Sequence, residues 1–356
     1  VKPFRGLRPP ASIARDLASL PYDVMNSEEA RIMAEGKECS LLHITRSEID
    51  LHPDIDVHCE DVYEKSVSNF ALWRERGWLV QDKESHFYIY AQTMKGRTQY
   101  GIVGCASVDD YLKDIIKKHE LTRPDKEQDR MIHVRVNNAN IEPVFFAYPA
   151  VKQIDEIVES ITSSEQPEYD FVADDGFGHK FWVVKDRDVN RKIEKLFAEK
   201  VPFTYVADGH HRSAAAGIMG RERQQANPNH KGDEEYNFFL AVIFPHNQMK
   251  ILPYNRLVRD LNGMCKAEFF GALADCFTYE ETEAKVPDAP QEFCLFIDGK
   301  WYLLRAKPGS FDATDAIASL DVSILQNNLL APVLGIRNPR TDKRIDFVGG
   351  IRGTAE

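Results

Sequence analysis

The sequence predicts an α+β fold with mixed, largely antiparallel sheets and flanking helices. Short apolar strands alternate with amphipathic helices, and three neighbouring strand pairs are joined by tight glycine turns, which makes those pairs hairpins. In the first, His86 to Met94 and Gln99 to Val108 flank Lys95-Gly96-Arg97. In the second, Phe171 to Ala173 and Lys180 to Lys185 flank a turn centred on Gly176. In the third, Glu292 to Ile297 and Trp301 to Arg305 flank Asp298-Gly299-Lys300.

Apolar residues recur at helical spacing over Val57 to Arg76, Val151 to Thr162, Val189 to Lys200, Arg212 to Gln225 and Val322 to Leu334, with Asp56, Asp188 and Asp321 as cap residues. Residues 225–235 are polar and punctuated by Pro228 and Gly232, so they are expected to form an exposed loop that serves as a mobile lid. At roughly 150 residues per domain the chain holds two domains or one elaborated one. A strand ending at Tyr148-Pro149-Ala150 before a new helix places the boundary near 150, giving an N-terminal lobe over 1–150 and a C-terminal lobe over 151–356. No fixed-period repeat is present, which sets aside solenoids and propellers.

The formal net charge of -11 opposes nonspecific attraction to a polynucleotide backbone or an anionic lipid surface, so neither partner is expected. No apolar run approaches the ~20 residues of a membrane-spanning helix, and the six cysteines form no Cys-x-x-Cys pair, so a cytoplasmic protein is the expectation. The chain lacks an initiating Met, and it is also expected to be truncated after Glu356, where similar chains continue. Homo-oligomerisation is left open.

The chemistry concentrates at one place. Val201 to Ala207 form an apolar strand, Asp208-Gly209-His210-His211 a polar turn, and Arg212-Ser213 begin a helix rich in alanine. A strand, turn and helix in that order aim free backbone N–H groups and the positive end of a helix dipole at one point, which suits a phosphate. Gly209 permits the sharp turn, Arg212 offers a forked cation, and Ser213 sits in the first turn. The histidines can donate hydrogen bonds or move protons, and Asp208 can hold Mg2+ or orient a nucleophile. The plainer reading makes Asp208 a helix cap and the histidines surface groups. Four functional side chains within five residues exceed what a cap requires.

Ala207-Asp208-Gly209-His210-His211-Arg212 resembles the signature of a bacterial family known only as a domain of unknown function. Lys2-Pro3-Phe4-Arg5, Leu20-Pro21-Tyr22-Asp23-Val24, Leu42 to Glu48, His119-Glu120-Leu121-Thr122, Asn255-Arg256 and Asp346 to Gly350 resemble further blocks of it, so the likeness spans the chain. That family is similar to the archaeal free-serine kinase and, more distantly, to the ParB and sulfiredoxin nucleotide-binding fold, which implies such a core around residues 201–225. The resemblance implies a kinase that moves a phosphoryl group from ADP or ATP, with Mg2+, to the alcohol group of free L-serine. Asp208, His210, His211 and Arg212 match the kinase motif directly. Glu120, within Lys117 to Arg123, is the candidate for the carboxylate that activates the hydroxyl, with a solvated helix end as its plainer reading.

Other segments add candidates. His43, Thr45, Arg46 and Glu48 alternate with Leu42 and Ile44, as in a strand aiming polar groups into a cleft to bind substrate, with a structural ion pair as the alternative reading. Asn255 and Arg256 follow the apolar stretch Met249 to Tyr254, where a strand-end arginine can clamp a carboxylate or phosphate. Arg340, Lys343 and Arg344 precede Gly349-Gly350 as a second anion loop. No P-loop, dinucleotide-binding glycine fingerprint or nucleophile elbow is present. Two alternatives to the kinase stay open: a nucleotide-sensing module that performs no transfer, and a metal-dependent phosphodiesterase or nuclease.

Overall fold

The computed structural model describes residues 1–119, 122, 124–339 and 341–349. The chain divides into two compact units, Val1–Met249 and Lys250–Glu356.

The first unit opens with β1 (Leu7–Arg8), α1 (Ala14–Leu17), α2 (Ser27–Ala34), α3 (Leu42–Thr45), α4 (Glu60–Glu75) and β2 (Val80–Gln81), with β2 antiparallel to β1. A capping box starts α2: Asn26 accepts from the Glu29 amide at 2.9 Å while Glu29 accepts from the Asn26 amide at 2.8 Å. The chain continues through β3 (Tyr88–Met94), β4 (Arg97–Ser107), α5 (Val108–Leu112), β5 (Ile116–Lys117), α6 (Pro124–Asn137) and β6 (Val144–Tyr148). It then forms α7 (Lys152–Ser164), β7 (Tyr169–Val172), β8 (Gly178–Val183), α8 (Arg187–Lys200), β9 (Thr204–Asp208), α9 (His210–Ala226) and β10 (Phe238–Pro245).

Eight of these strands make one sheet in the order β5-β9-β6-β10-β4-β3-β8-β7. The predicted β3-β4 and β7-β8 hairpins are antiparallel. Lys95 at φ 51 and Gly96 at φ 79 form the left-handed two-residue turn that suits the strand twist. The β5-β9 and β6-β10 pairs are parallel, so the sheet is mixed. Along β10, Phe239, Ala241 and Ile243 alternate into a core that includes Phe146, Val206, Ile154, Ile193 and Phe197. Each fully buried Phe or Ile there contributes about 1.5–3 kcal/mol of transfer free energy.

The expected boundary at residue 150 is overturned. Strand β6, before it, lies between β9 and β10, which come after it, so a cut at 150 would sever the sheet. The break falls after Met249 instead.

The second unit contains β11 (Tyr254–Val258), α10 (Lys266–Cys276), β12 (Phe277–Thr282), β13 (Glu292–Ile297), β14 (Lys300–Ala306), α11 (Asp321–Leu325) and β15 (Ile345–Gly349). Strands β12-β14-β13 form an antiparallel sheet containing the third predicted hairpin, and β11 pairs with β15. Phe269, Leu273, Phe277, Leu304 and Ile324 fill its core. The single helix expected over Val322 to Leu334 is shorter: α11 passes into a π turn over Gln326–Leu330, and the Gln326 side chain donates to the Ile336 carbonyl at 2.9 Å. Among the described residues no helix is long and apolar enough to cross a membrane.

Candidate functional site

Asp208 is the last residue of β9, where Phe145 pairs with Asp208 but Phe146 pairs with Val206. Ala207 is the extra residue of a bulge, a device that bends a strand and re-aims the side chain beside it. Gly209 follows at φ 90, ψ 34 and is the N-cap of α9, so no side chain accepts from the first amides of that helix there. The helix therefore starts at His210, two residues before the expected Arg212, and Asp208 does not cap it. Asp208 instead reaches one turn along, accepting from Arg212 Nη2 at 2.7 Å, while Arg212 Nη1 donates to the Pro143 carbonyl at 2.7 Å.

Those two bonds pin the guanidinium against Gly209. A Cβ added at Gly209 would lie 3.2 Å from Arg212 Nε and 3.2 Å from Val144 Cγ1. The Arg212 side chain is 10% exposed and that of Asp208 57%, so the carboxylate faces solvent while the cation lies beneath it. His210 is buried, with its ring edge-to-face on His119 at 4.4 Å between centroids, and His211 is half-buried. Ser213 is fully buried: its amide donates to the Gly209 carbonyl at 2.9 Å and its Oγ has no hydrogen-bond partner among the described residues. The expected phosphate contact of Ser213 thus loses its backbone donor to the helix itself.

Helix α9 packs on α6 through Ala215 and Met219 against Met131. This brings in residues that sequence reasoning missed, for α6 is highly charged and shows little apolar periodicity. Its one local signal is Pro124 at the first helical position. Arg130 donates to Asp129 from Nε at 2.9 Å and Nη2 at 2.5 Å, and its guanidinium lies over the Tyr22 ring at 3.7 Å. Arg130 also approaches Glu142 at 3.7 Å, next to the Pro143 that holds Arg212. Burial pushes the Glu142 carboxyl up, against the pull of Arg212 and Arg130. Burial also acts to raise Asp129, but Arg130 and the Tyr63 hydroxyl at 2.8 Å outweigh it and hold that carboxyl low. His133 is pushed down to about 3 by burial and then by Arg130, so its imidazole is neutral.

A pocket of about 290 Å3 opens here, with Tyr22, Arg46, Glu48, Lys126, Arg130 and His133 in its lining. Arg46 and Glu48 both line it and form an ion pair 2.8 Å apart, and they do not lie on a strand. They follow the short helix α3 and sit at the 3-10 turn Ser47–Asp50, and Arg46 also donates to the Tyr22 carbonyl at 3.1 Å and Ser27 Oγ at 2.9 Å. His43 is not in this pocket. Its Nδ1 lies 2.6 Å from Asp50 and its Nε2 3.2 Å from the Lys37 carbonyl, in a separate hollow with Arg31 and Glu35.

The expected lid is also displaced. The loop after Ala226 leaves the far end of a 17-residue helix, roughly 25 Å from Gly209 at 1.5 Å per residue. Glu234 ties it down by accepting from the amides of Lys231 at 2.8 Å and Gly232 at 2.9 Å. Asn255 and Arg256 lie within β11 rather than after a strand, because Met249 to Pro253 are not extended ladder residues. Arg256 lies over the rings of Tyr254 at 5.4 Å and Phe347 at 5.6 Å. In the second predicted anion loop Arg344 is engaged by Asp342 at 3.0 Å and Asp260 at 3.3 Å. Glu120, Arg340 and Gly350 lie outside the described residues. Among the described residues no group of three or more His, Cys, Asp or Glu is placed to hold a metal ion.

Fold and site together define an α+β protein in which an arginine-carboxylate pair at a helix start adjoins a polar, ion-paired pocket. The chain belongs to the family described as "Protein of unknown function (DUF1015)", which matches residues 1–323. No curated protein and no solved structure matches it.

Proposed function

We propose that this chain is a nucleotide-dependent phosphotransferase with a ParB/sulfiredoxin-like core, passing the terminal phosphoryl group of ADP or ATP to the hydroxyl of a small molecule, with free L-serine the favoured acceptor. The observation that carries the reading is the start of α9. A glycine in the left-handed region opens a 17-residue helix without a side-chain cap, and an arginine is pinned 2.7 Å from Asp208 directly beside it. The uncapped amides and dipole of that helix start, with the Arg212 cation beside them, support an anion site there.

In this reading the acceptor oxygen bonds to the terminal phosphorus and the bridging P–O bond breaks. The nucleotide leaves one phosphate shorter, and the hydroxyl proton passes to a carboxylate, for which Glu120 is the candidate. Asp208, whose carboxylate is exposed, would hold a Mg2+ ion, which would offset negative charge on the phosphates. Arg212 stabilises the charge that develops on the transferred group.

The test incubates the protein with Mg2+, a pool of amino acids, and either ADP or ATP, then searches for a phosphorylated amino acid by mass spectrometry. A product formed by the unmodified chain and lost in Asp208→Asn is expected. No product with either nucleotide, or an undiminished yield in Asp208→Asn, removes the proposal.

A further inference from the structure

We infer that the pocket lined by Tyr22, Arg46, Lys126 and Arg130 is a binding site for a small organic acid carrying one carboxylate. Its volume of about 290 Å3 admits a compact molecule and little more. Three cations, Arg46, Lys126 and Arg130, share the lining with three carboxylates, Asp23, Glu48 and Asp129. Arg46 is matched by Glu48 at 2.8 Å and Arg130 by Asp129 at 2.5 Å. Lys126 and Asp23 have no ion-pair partner among the described residues, so one positive and one negative charge in the lining stand unmatched. A polyphosphate would set several negative charges against the one unmatched cation, whereas a single carboxylate is answered by Lys126.

A second observation points to the same place. Tyr22 is 6% exposed, its ring is held flat under Arg130 at 3.7 Å, and its hydroxyl is buried without a hydrogen-bond partner among the described residues. Buried hydroxyls are almost always paired, and one kept orphaned in a pocket wall is explained by a ligand that completes it. His133, neutral in the same lining, offers a donor and an acceptor without adding charge. As the seat of the acceptor the pocket deepens the phosphotransferase reading, and in that role it rests on it.

The experiment is calorimetric titration of the full chain, without nucleotide, with serine, alanine, glycerate and lactate, and with serinamide and glycerol as controls lacking the carboxylate. Binding of the acids but not the controls is expected, and the amino-acid and hydroxy-acid arms show which kind is taken. Lys126→Ala and Tyr22→Phe, which delete the unmatched charge and the orphan hydroxyl, are each expected to weaken binding roughly 10-fold at an unaltered melting temperature. The inference is overturned if no acid binds at about 10 mM, a limit corresponding to very weak affinity. It is equally overturned if the controls bind as well as the acids, or if both variants bind like the unmodified chain. Intact binding with no phosphoryl transfer removes only the phosphotransferase reading, and transfer without this binding removes only the pocket.

Discussion

Gly209→Ala is expected to disrupt the start of α9 through geometry alone. At φ 90 an L-residue pays about 1–2 kcal/mol for the left-handed backbone. The new Cβ, 3.2 Å from both Arg212 Nε and Val144 Cγ1, must also shift the guanidinium by a few tenths of an ångström and so weaken its two 2.7 Å hydrogen bonds. Weakened charge-assisted bonds and the tight contact cost about 1–2 kcal/mol more, discounted because Asp208 is largely exposed. The total of about 2–4 kcal/mol, at ~3 °C per kcal/mol for a unit of this size, lowers the melting temperature by about 6–12 °C. Gly232→Ala is the control: φ is 97 there, yet nothing lies within 4 Å of its added Cβ. It should lose only the backbone share, about 3–6 °C, and keep the proposed phosphoryl transfer, whereas Gly209→Ala should lose roughly 10-fold or more in turnover of that proposed reaction. Calorimetric scans with matched turnover assays decide it, and equal effects of the two substitutions would refute the claim that Gly209 makes room for Arg212.

Further outcomes are expected. Arg212→Ala should reduce turnover ~100-fold or more, as removal of other transition-state donors does, and wild-type turnover in that variant would end the role given to Arg212. Gly220→Ala would place a Cβ 2.8 Å from the Tyr236 carbonyl oxygen and 2.9 Å from Val108 Cγ2. Overpacking should exceed the ~1 kcal/mol gain in helix propensity and leave a net loss of about 1–2 kcal/mol in urea unfolding, so a neutral or stabilised variant contradicts this packing. His43 is raised above 6.5 by its hydrogen bond to Asp50, with burial opposing. Its stabilisation is therefore complete below pH 6.5 and fades as pH rises through the raised value. Burial acts to raise Asp50, but His43 and Asn69 hold it below 3.8, so its share is present above that pH and fades on further acidification. Urea midpoints of the unmodified chain and His43→Asn should converge as pH rises from 5 to 9, and a constant gap would count against the pair.

Local signals account for what the chain alone made legible. The β3-β4 hairpin and the third hairpin follow from turn residues lying next to alternating strands, and α7, α8 and α9 end within about two residues of their apolar periods because a helical repeat is visible over adjacent turns. The Asp208 to Arg212 constellation was legible for the same reason, since its members are sequence neighbours. The segment at Leu42 misled because alternation has another cause there. Leu42 packs with Met25 and Ala30 while Ile44 packs with Trp73, so α3 is wedged between two clusters rather than lying in a sheet.

By itself, then, the sequence determined the α+β class, the hairpins and the run of functional groups from Asp208 to Arg212, because short-range periodicity and turn chemistry act between neighbours. Only tertiary packing set β6 between β9 and β10, bound Arg212 to Asp208 and Pro143, and gathered Tyr22, Arg46, Lys126 and Arg130 around one pocket. Those partners are more than 100 residues apart at the extremes, and their meeting depends on which apolar faces bury together, which no local pattern encodes.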